Sequence, residues 1–483
     1  MTLKLDGETE RLLVEASRLF RTGLTSEAIV AYERLFLSES RLPDSWFNLA
    51  VLYRRANRTK DALAAYQSAL DRGVSAAEEV HLNRGAILAD NGDTAAAFVE
   101  LEAALTLNPS YVPAWINLGN LKEDLGEFEA ARAAYERAVA LVPDNPMALA
   151  RLVGLSKLDD PADPLLQRLF EASTRPGTPP LARADAGYAL GAALDRIGAY
   201  DAAWEAYVAA NRATRAVAAL TSRPAYDRAA VTALVDRLIA TFPAQIEPLV
   251  AEGDAPLFIC GMLRSGSTLA EEILAQHSTL AGGGELEVLP ALVLERLQPY
   301  PAAATTARLA ELRDAYRAAT AARTPAGKQL IDKQPDNVFN IGLIKALFPN
   351  ARIVHTRRDR LDNCLSVYFL HAAADLSYAT AVDDIAHQYA EQRRLMAHWH
   401  AVYPGDIFEL DYDQLVADPQ ATVAPLLDFL DLAYEDGMIE RRRTVRAVRT
   451  ASHWQIRQPL YQSSSGRWRN YRQFLTGPER FAL

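Results

Sequence analysis

Cysteine is nearly absent from this chain: two occur in 483 residues, Cys260 and Cys364. One lies in a short apolar run and the other in a helical pattern. They form neither a disulfide framework nor a metal site, and their scarcity points to a reducing compartment. Long apolar runs are missing too, and the opening MTLKLDGETERLL is polar and acidic. No signal peptide, anchor or membrane association is therefore expected, and the expected location is cytoplasmic. Positive charge is in deficit, with 51 Lys+Arg against 61 Asp+Glu and a formal net charge of −10, which argues against nucleic acid as a partner of the surface at large. His, Cys and Asp do not cluster at ligand spacing, so no metal is expected. The remainder, 50% hydrophobic and 23% charged, has the balance of a soluble globular protein, and the length calls for two or three domains.

The first half repeats itself at a period of about 34 residues. One unit carries Trp46, Leu49, Ala50, Tyr53, Ala62, Tyr66 and Ala69; another carries Trp115, Leu118, Gly119, Ala131, Tyr135, Ala138 and Pro143. Weaker copies precede and separate them. A fifth starts near Pro146 and is interrupted by a Pro-rich loop from Asp159 to Pro180, and a sixth resumes with Leu190, Gly191, Leu194, Ala203, Tyr207 and Ala210. Small residues recur where two helices of a unit cross, and large ones where units pack on each other. The pattern resembles tetratricopeptide repeats, helix pairs that lack a full core alone and must stack into a solenoid. That resemblance implies a groove for a protein partner or an extended peptide. Nothing in this half has catalytic spacing. One further helix, Ala229 to Thr241, is ended by Pro243. The expected division is a solenoid over 1–217, a helical linker over 218–254 and a second domain over 255–483.

The second half turns on PLFICGMLRSGSTLAEEILAQH, Pro256 to His277. Leu257 to Cys260 reads as a buried strand, two glycines and two serines make a loop, and Thr268 to Gln276 has helical periodicity. Such a loop aims backbone N–H groups and a helix N-terminus at one spot, which suits phosphate or sulfate. The spacing Gly261-x-x-x-x-Gly266-Ser267-Thr268 is that of a nucleoside-triphosphate loop in which Ser267 replaces the lysine. Without that lysine, ATP or GTP with magnesium is disfavoured, while Arg264 still offers a cation.

Downstream, three glycines precede Glu285, and Glu287 follows two residues on. The run Gln329 to Lys333 reads as a strand ending in a lysine, and ligands of open α/β sheets sit beyond the carboxyl ends of the strands. A strand from Arg352 to Thr356 leads to a helix from about Leu361, placing Arg358 and Ser366 eight residues apart at another strand-to-helix junction. Arg357 is the alternative to Arg358, and His355 reads as packing. Two anion sites on consecutive parallel strands point to a nucleotide phosphorylated at both ends. Ile407 to Tyr412 is a further strand, with Tyr412 either near the nucleotide or in the core. Arg441 to Arg472 holds nine arginines and no carboxylate, which suits a flap over an anionic cofactor.

The heptapeptide Leu263-Arg264-Ser265-Gly266-Ser267-Thr268-Leu269 resembles the 5′-phosphosulfate loop of sulfotransferases that use 3′-phosphoadenosine-5′-phosphosulfate (PAPS), most closely the tyrosylprotein type. The resemblance covers roughly Ala255 to Leu483. It implies an α/β, P-loop-like domain with a mainly parallel sheet, following the all-α solenoid. It implies Arg264, Ser265, Gly266, Ser267, Thr268 and Leu269 around the 5′ end, and Arg358 with Ser366 on the 3′-phosphate. Tyr412, Arg457, Arg467 and Trp468 fall in segments near the nucleotide. Glu285 matches the catalytic glutamate, a candidate base for an acceptor hydroxyl with Glu287 as its rival, Lys333 the lysine aimed at the transferring group, and Ser452 a serine near the sulfate. Gln458-Pro459 departs from a common Lys-Pro pair, and the missing anchor departs from the membrane-bound animal proteins. The implied function is PAPS-dependent transfer to a protein or peptide tyrosine, without metal. A saccharide or small-molecule hydroxyl is an alternative acceptor. A nucleotide kinase or NTPase is opposed by the missing loop lysine, and a non-catalytic scaffold by the presence of Glu285 and Lys333.

Overall fold

The computed structural model describes residues 5–244, 255–371, 376–439 and 464–475. The chain divides into two compact units, Met1–Gly177 and Thr178–Leu483. The first unit is all helix, built from antiparallel pairs such as Pro43–Arg55 with Thr59–Asp71 and Val112–Asp124 with Phe128–Leu141. Within each pair a large ring meets a small residue: a β-carbon on Gly119 would lie 2.3 Å from Cε1 of Tyr135, which is fully buried. The core runs from pair to pair, joining Ala16, Tyr32, Leu49, Tyr66 and Ile87 in one cluster. The stretch Asp159 to Pro180, read as a loop, contains the helix Pro164–Thr174. Pro164 occupies the first turn, where its missing N–H costs nothing, and the Asp163 carboxylate accepts from the Leu165 N–H at 2.8 Å.

The second unit holds a five-stranded parallel sheet, β1 (Leu257–Gly261), β2 (Leu280–Gly282), β3 (Gln329–Lys333), β4 (Ile353–Arg357) and β5 (Ile407–Asp411), in the order β2-β3-β1-β4-β5. Every residue of β1 is buried, because the central strand is covered on both faces. Phe258 and Cys260 join Trp399, Tyr316 and Phe348 on one side, while Leu257 and Ile259 join Leu269, Leu274, Leu410 and Leu415 on the other. The chain leaves β1 toward β2 and leaves β4 toward β5, so the order reverses between β1 and β4. In an open parallel sheet that reversal opens a crevice at the carboxyl ends.

Two stretches group differently from their reading in sequence. The helix pair Pro180–Ile197 and Tyr200–Leu220, counted as a repeat of the solenoid, lies in the second unit. Its Trp204 stacks on Phe474, Tyr207 stacks on Phe369, and Asn211 Nδ2 donates to the Tyr368 carbonyl at 3.0 Å. The Arg228–Thr241 helix, expected as a linker, contributes Val235 and Leu238 to the core of this unit, with Phe242 behind it. Its outer face is tied to the Val382–Val402 helix through Arg228–Asp384 and Asp236–Arg394, each at 2.7 Å.

Candidate active site

The loop after β1 is fixed from three sides. Ser265 Oγ lies 2.7 Å from Thr356 Oγ1 on β4, and Thr356 Oγ1 in turn donates to the Cys260 carbonyl at 3.2 Å. Asn363 Nδ2, from the Arg360–Tyr368 helix, donates to the Leu263 carbonyl at 3.1 Å. Gly266 has φ 102° and is pressed by Tyr412, whose Cδ2 would stand 2.5 Å from any β-carbon there. Only glycine meets both demands. The Ser267–Leu274 helix starts at this point, so its unsatisfied first N–H groups belong to the loop. Arg264, itself at positive φ, donates from Nε to Ser366 Oγ at 3.0 Å. Two of the residues singled out in sequence are thereby joined across 102 positions.

Arg358 follows β4 directly. It is 9% exposed, its Nη2 donates to the Ser464 carbonyl, and its guanidinium lies 4.9 Å from the Tyr412 ring centre. Its buried Nε has no hydrogen-bond partner among the described residues. Arg357, the alternative, points to Asp411 at 3.3 Å and Glu409 at 3.7 Å and is half exposed. The segment from Ser464 onward docks beside Arg358: Tyr412 Oη lies 3.0 Å from Ser464 Oγ, and Ser465 Oγ donates to Asp413. Asp362 accepts from the Gly466 and Trp468 N–H groups, the latter at 2.8 Å; burial raises its carboxyl above the ordinary value while these bonds oppose the rise. Arg467 is held by Asp195 at 2.6 Å and lies over the Phe369 ring. Ser452 and Arg457 lie outside the described residues.

Lys333 and Glu285 form the other part of the site. Lys333 ends β3 and is fully buried; its Nζ donates to Glu285 Oε1 at 2.5 Å and stands 4.0 Å from Glu271 Oε2. Glu285 keeps a third of its side chain exposed. Glu271 Oε1 accepts from the Gly284 N–H at 2.6 Å, and the Lys333 N–H bonds the Gly284 carbonyl at 3.2 Å, so the glycine turn carrying Glu285 is clamped to β3. The rival Glu287 is exposed and accepts from Gln334 Nε2 at 3.1 Å. Along the carboxyl edge of the sheet, the carboxylate–ammonium pair after β3, the glycine loop after β1 and the buried arginine after β4 stand in consecutive positions.

Residues 256–436 match the sulfotransferase family. Residues 13–77, 47–112 and 88–154 match tetratricopeptide repeats. The chain joins tetratricopeptide repeats to a domain of the sulfotransferase family. It is similar to an uncharacterized protein of Aquifex aeolicus (strain VF5), 31% identical over 420 residues, covering 82% of this chain and 54% of that one. The chain thus spans about half the length of that relative. A Caenorhabditis briggsae protein named as a candidate protein-tyrosine sulfotransferase is 21% identical over 214 residues, 40% of this chain and 70% of that one. Among solved structures, the sulfotransferase domain from the curacin biosynthetic pathway aligns at TM-score 0.35 with 18% identity, covering 45% of this chain and 92% of that chain.

Several residues of the second unit escaped the sequence reading: Glu271, Thr356, Asp362 and Asp195. Glu271 alone had a visible signal, a carboxylate on the inward stripe of the Ser267–Leu274 helix, among Ser267, Ala270 and Leu274. The others act through partners that only the fold brings near.

Proposed function

We propose that the second unit is a sulfotransferase that draws its sulfuryl group from PAPS and moves it to an acceptor hydroxyl, the tyrosine of a protein or peptide. One observation carries the cofactor reading: Arg358, buried at the end of β4, has an Nε without a partner beside a glycine-cradled loop. A buried guanidinium N–H left unbonded is costly, and a phosphate oxygen would satisfy it. The residues present fit the group. Arg264 to Leu269 would hold its 5′ end, and Arg358 with Ser366 its 3′-phosphate, with Tyr412 alongside. Arg467 and Trp468 would serve by anchoring the 464–475 segment, and Ser452 and Arg457 would contribute from the arginine-rich stretch.

When bound, PAPS supplies a sulfuryl group already activated on a phosphate. The chain's own residues do the rest. Glu285 accepts the proton of the acceptor hydroxyl. Lys333 orients that carboxylate and fixes a positive charge where negative charge grows, and Glu271 positions both through Gly284 and Nζ. None of these roles calls for a metal. The repeats would recruit the acceptor or a protein partner. The tyrosine acceptor is supported by the likeness to the Caenorhabditis briggsae protein. A cytoplasmic setting is part of the proposal; none of the described helices is long and apolar enough to cross a membrane.

The test is transfer from sulfur-labelled PAPS by the full chain to tyrosine peptides and, in parallel, to saccharides and small phenols. Label on tyrosine is expected, with Glu285→Gln lowering kcat about 100-fold or more while nucleotide binding is retained. Label on saccharide alone would replace the acceptor class. Nucleotide binding without transfer to any acceptor would favour the scaffold reading.

A further inference from the structure

On the sheet face lined by Ile353 and Trp399, three side chains from three elements converge: His355 of β4, Glu409 of β5 and His400 near the end of the Val382–Val402 helix. Their ligand atoms all lie within 4.8 Å of one another. Glu409 Oε1 is 3.3 Å from His400 Nε2 and 3.7 Å from His355 Nδ1. Both of those ring nitrogens are buried and without a hydrogen-bond partner among the described residues. His355 and Glu409 are register partners across β4 and β5, so the backbone itself fixes two of the three donors.

We propose that His355, His400 and Glu409 bind a divalent transition metal of the zinc type, with water in the fourth position. Zinc bonds of about 2.0–2.1 Å at tetrahedral angles put ligand atoms roughly 3.3 Å apart, close to the 3.3 and 3.7 Å from Glu409 Oε1 to the two ring nitrogens. Two imidazoles and one carboxylate are also the donor set such ions select over magnesium or calcium. The second oxygen of Glu409 faces Arg357 Nε at 3.7 Å, and Arg357 is itself held by Asp411 at 3.3 Å. That arrangement leaves Oε1 for the metal and gives the carboxylate an outer partner that fixes its direction. The metal pins the Val382–Val402 helix to the β4–β5 edge of the sheet. His355 and Thr356 are neighbours on β4 whose side chains point to opposite faces of the sheet, and the proposed transfer site uses the face of Thr356, where its Oγ1 meets Ser265.

The test uses the full chain, stripped with a chelator and titrated with cobalt(II) and zinc(II) by calorimetry, visible absorption and thermal unfolding. One cobalt per chain, absorption of a low-coordinate nitrogen–oxygen site and a raised Tm are expected. Glu409→Gln, nearly isosteric, and His400→Ala are each expected to weaken binding roughly tenfold or more. His371→Ala, whose imidazole faces Asp185 instead, should leave it unchanged. Absence of cobalt or zinc binding in the wild type, or affinity unaltered in the folded Glu409→Gln variant, would overturn the assignment.

Discussion

Asp332 shows how a buried side chain couples folding stability to pH. It precedes Lys333 on β3, is fully buried, accepts from Tyr316 Oη at 2.6 Å, and burial pushes its carboxyl up to about 7 against the bonds from Tyr316 and Asn337. Because the folded value exceeds the ordinary 3.8, the folded chain keeps this proton in the window between them. The contribution to stability is full below the lower value and is lost as pH rises through the upper one. Asp332→Asn should therefore flatten the pH dependence of unfolding by up to one proton, roughly a tenfold change in the folding equilibrium per pH unit, between about pH 4 and 7. The variant should be tolerated, since Asn337 has a buried Oδ1 without a partner that can turn to the new amide. Urea unfolding at pH 5 and 8 checks this; an unchanged slope would contradict it. In the sequence, by contrast, Asp332 is an ordinary residue of a strand. Arg264, Lys333 and Arg358 could be singled out because they end or follow apolar strand-like runs, and Glu285 because it follows three glycines and matches the family's glutamate; their roles in transfer belong to the proposal. Asp332, Thr356 and Asp195 were hidden because each owes its role to a distant partner, Tyr316, Ser265 and Arg467 respectively.

At the level of elements, the glycine loop is the unit most exposed to a single change. Gly266→Ala would force a side chain into positive φ and against Tyr412. The backbone penalty is about 1–2 kcal/mol, and the clash must move either the ring or the loop. The expected result is a loss of affinity for 3′-phosphoadenosine-5′-phosphate of about tenfold or more, measured by titration, with Tyr412→Ala added in the same chain restoring part of it. Equal loss in the single and double variants would show that the ring is not the constraint. The strand-loop-helix pattern itself was readable, because an apolar run, a glycine–serine turn and a helical period follow one another. β2 was not: Leu280–Gly282 looks like part of a glycine-rich loop, and its strand character comes from pairing with β3, with Gly283 N–H continuing onto the Ile331 carbonyl at 2.9 Å. The Pro164–Thr174 helix was missed for the opposite reason, since proline disfavours a helix interior yet is well placed in the first turn, where Pro164 stands.

For the whole molecule, periodicity reported which residues pack inside a helix pair but not what the pair packs upon. Gly191 and Tyr207 of the Pro180–Leu220 pair obey the repeat pattern, yet Trp204 and Tyr207 also stack on Phe474 and Phe369, from later in the same unit. That pair therefore also supports the segment beside Arg358, through Asp195 and its bonds to Arg467 and Tyr471. On the function proposed above, this unit holds a nucleotide phosphorylated at both ends, with Arg358 on its 3′-phosphate. The most direct measurement is calorimetric titration of the full chain with 3′-phosphoadenosine-5′-phosphate, ADP and ATP, with and without magnesium, repeated on Arg358→Ala. Magnesium-independent preference for the 3′-phosphorylated nucleotide is expected, weakened about a hundredfold in the variant. Preference for ATP with magnesium, or equal affinity in Arg358→Ala, would contradict it.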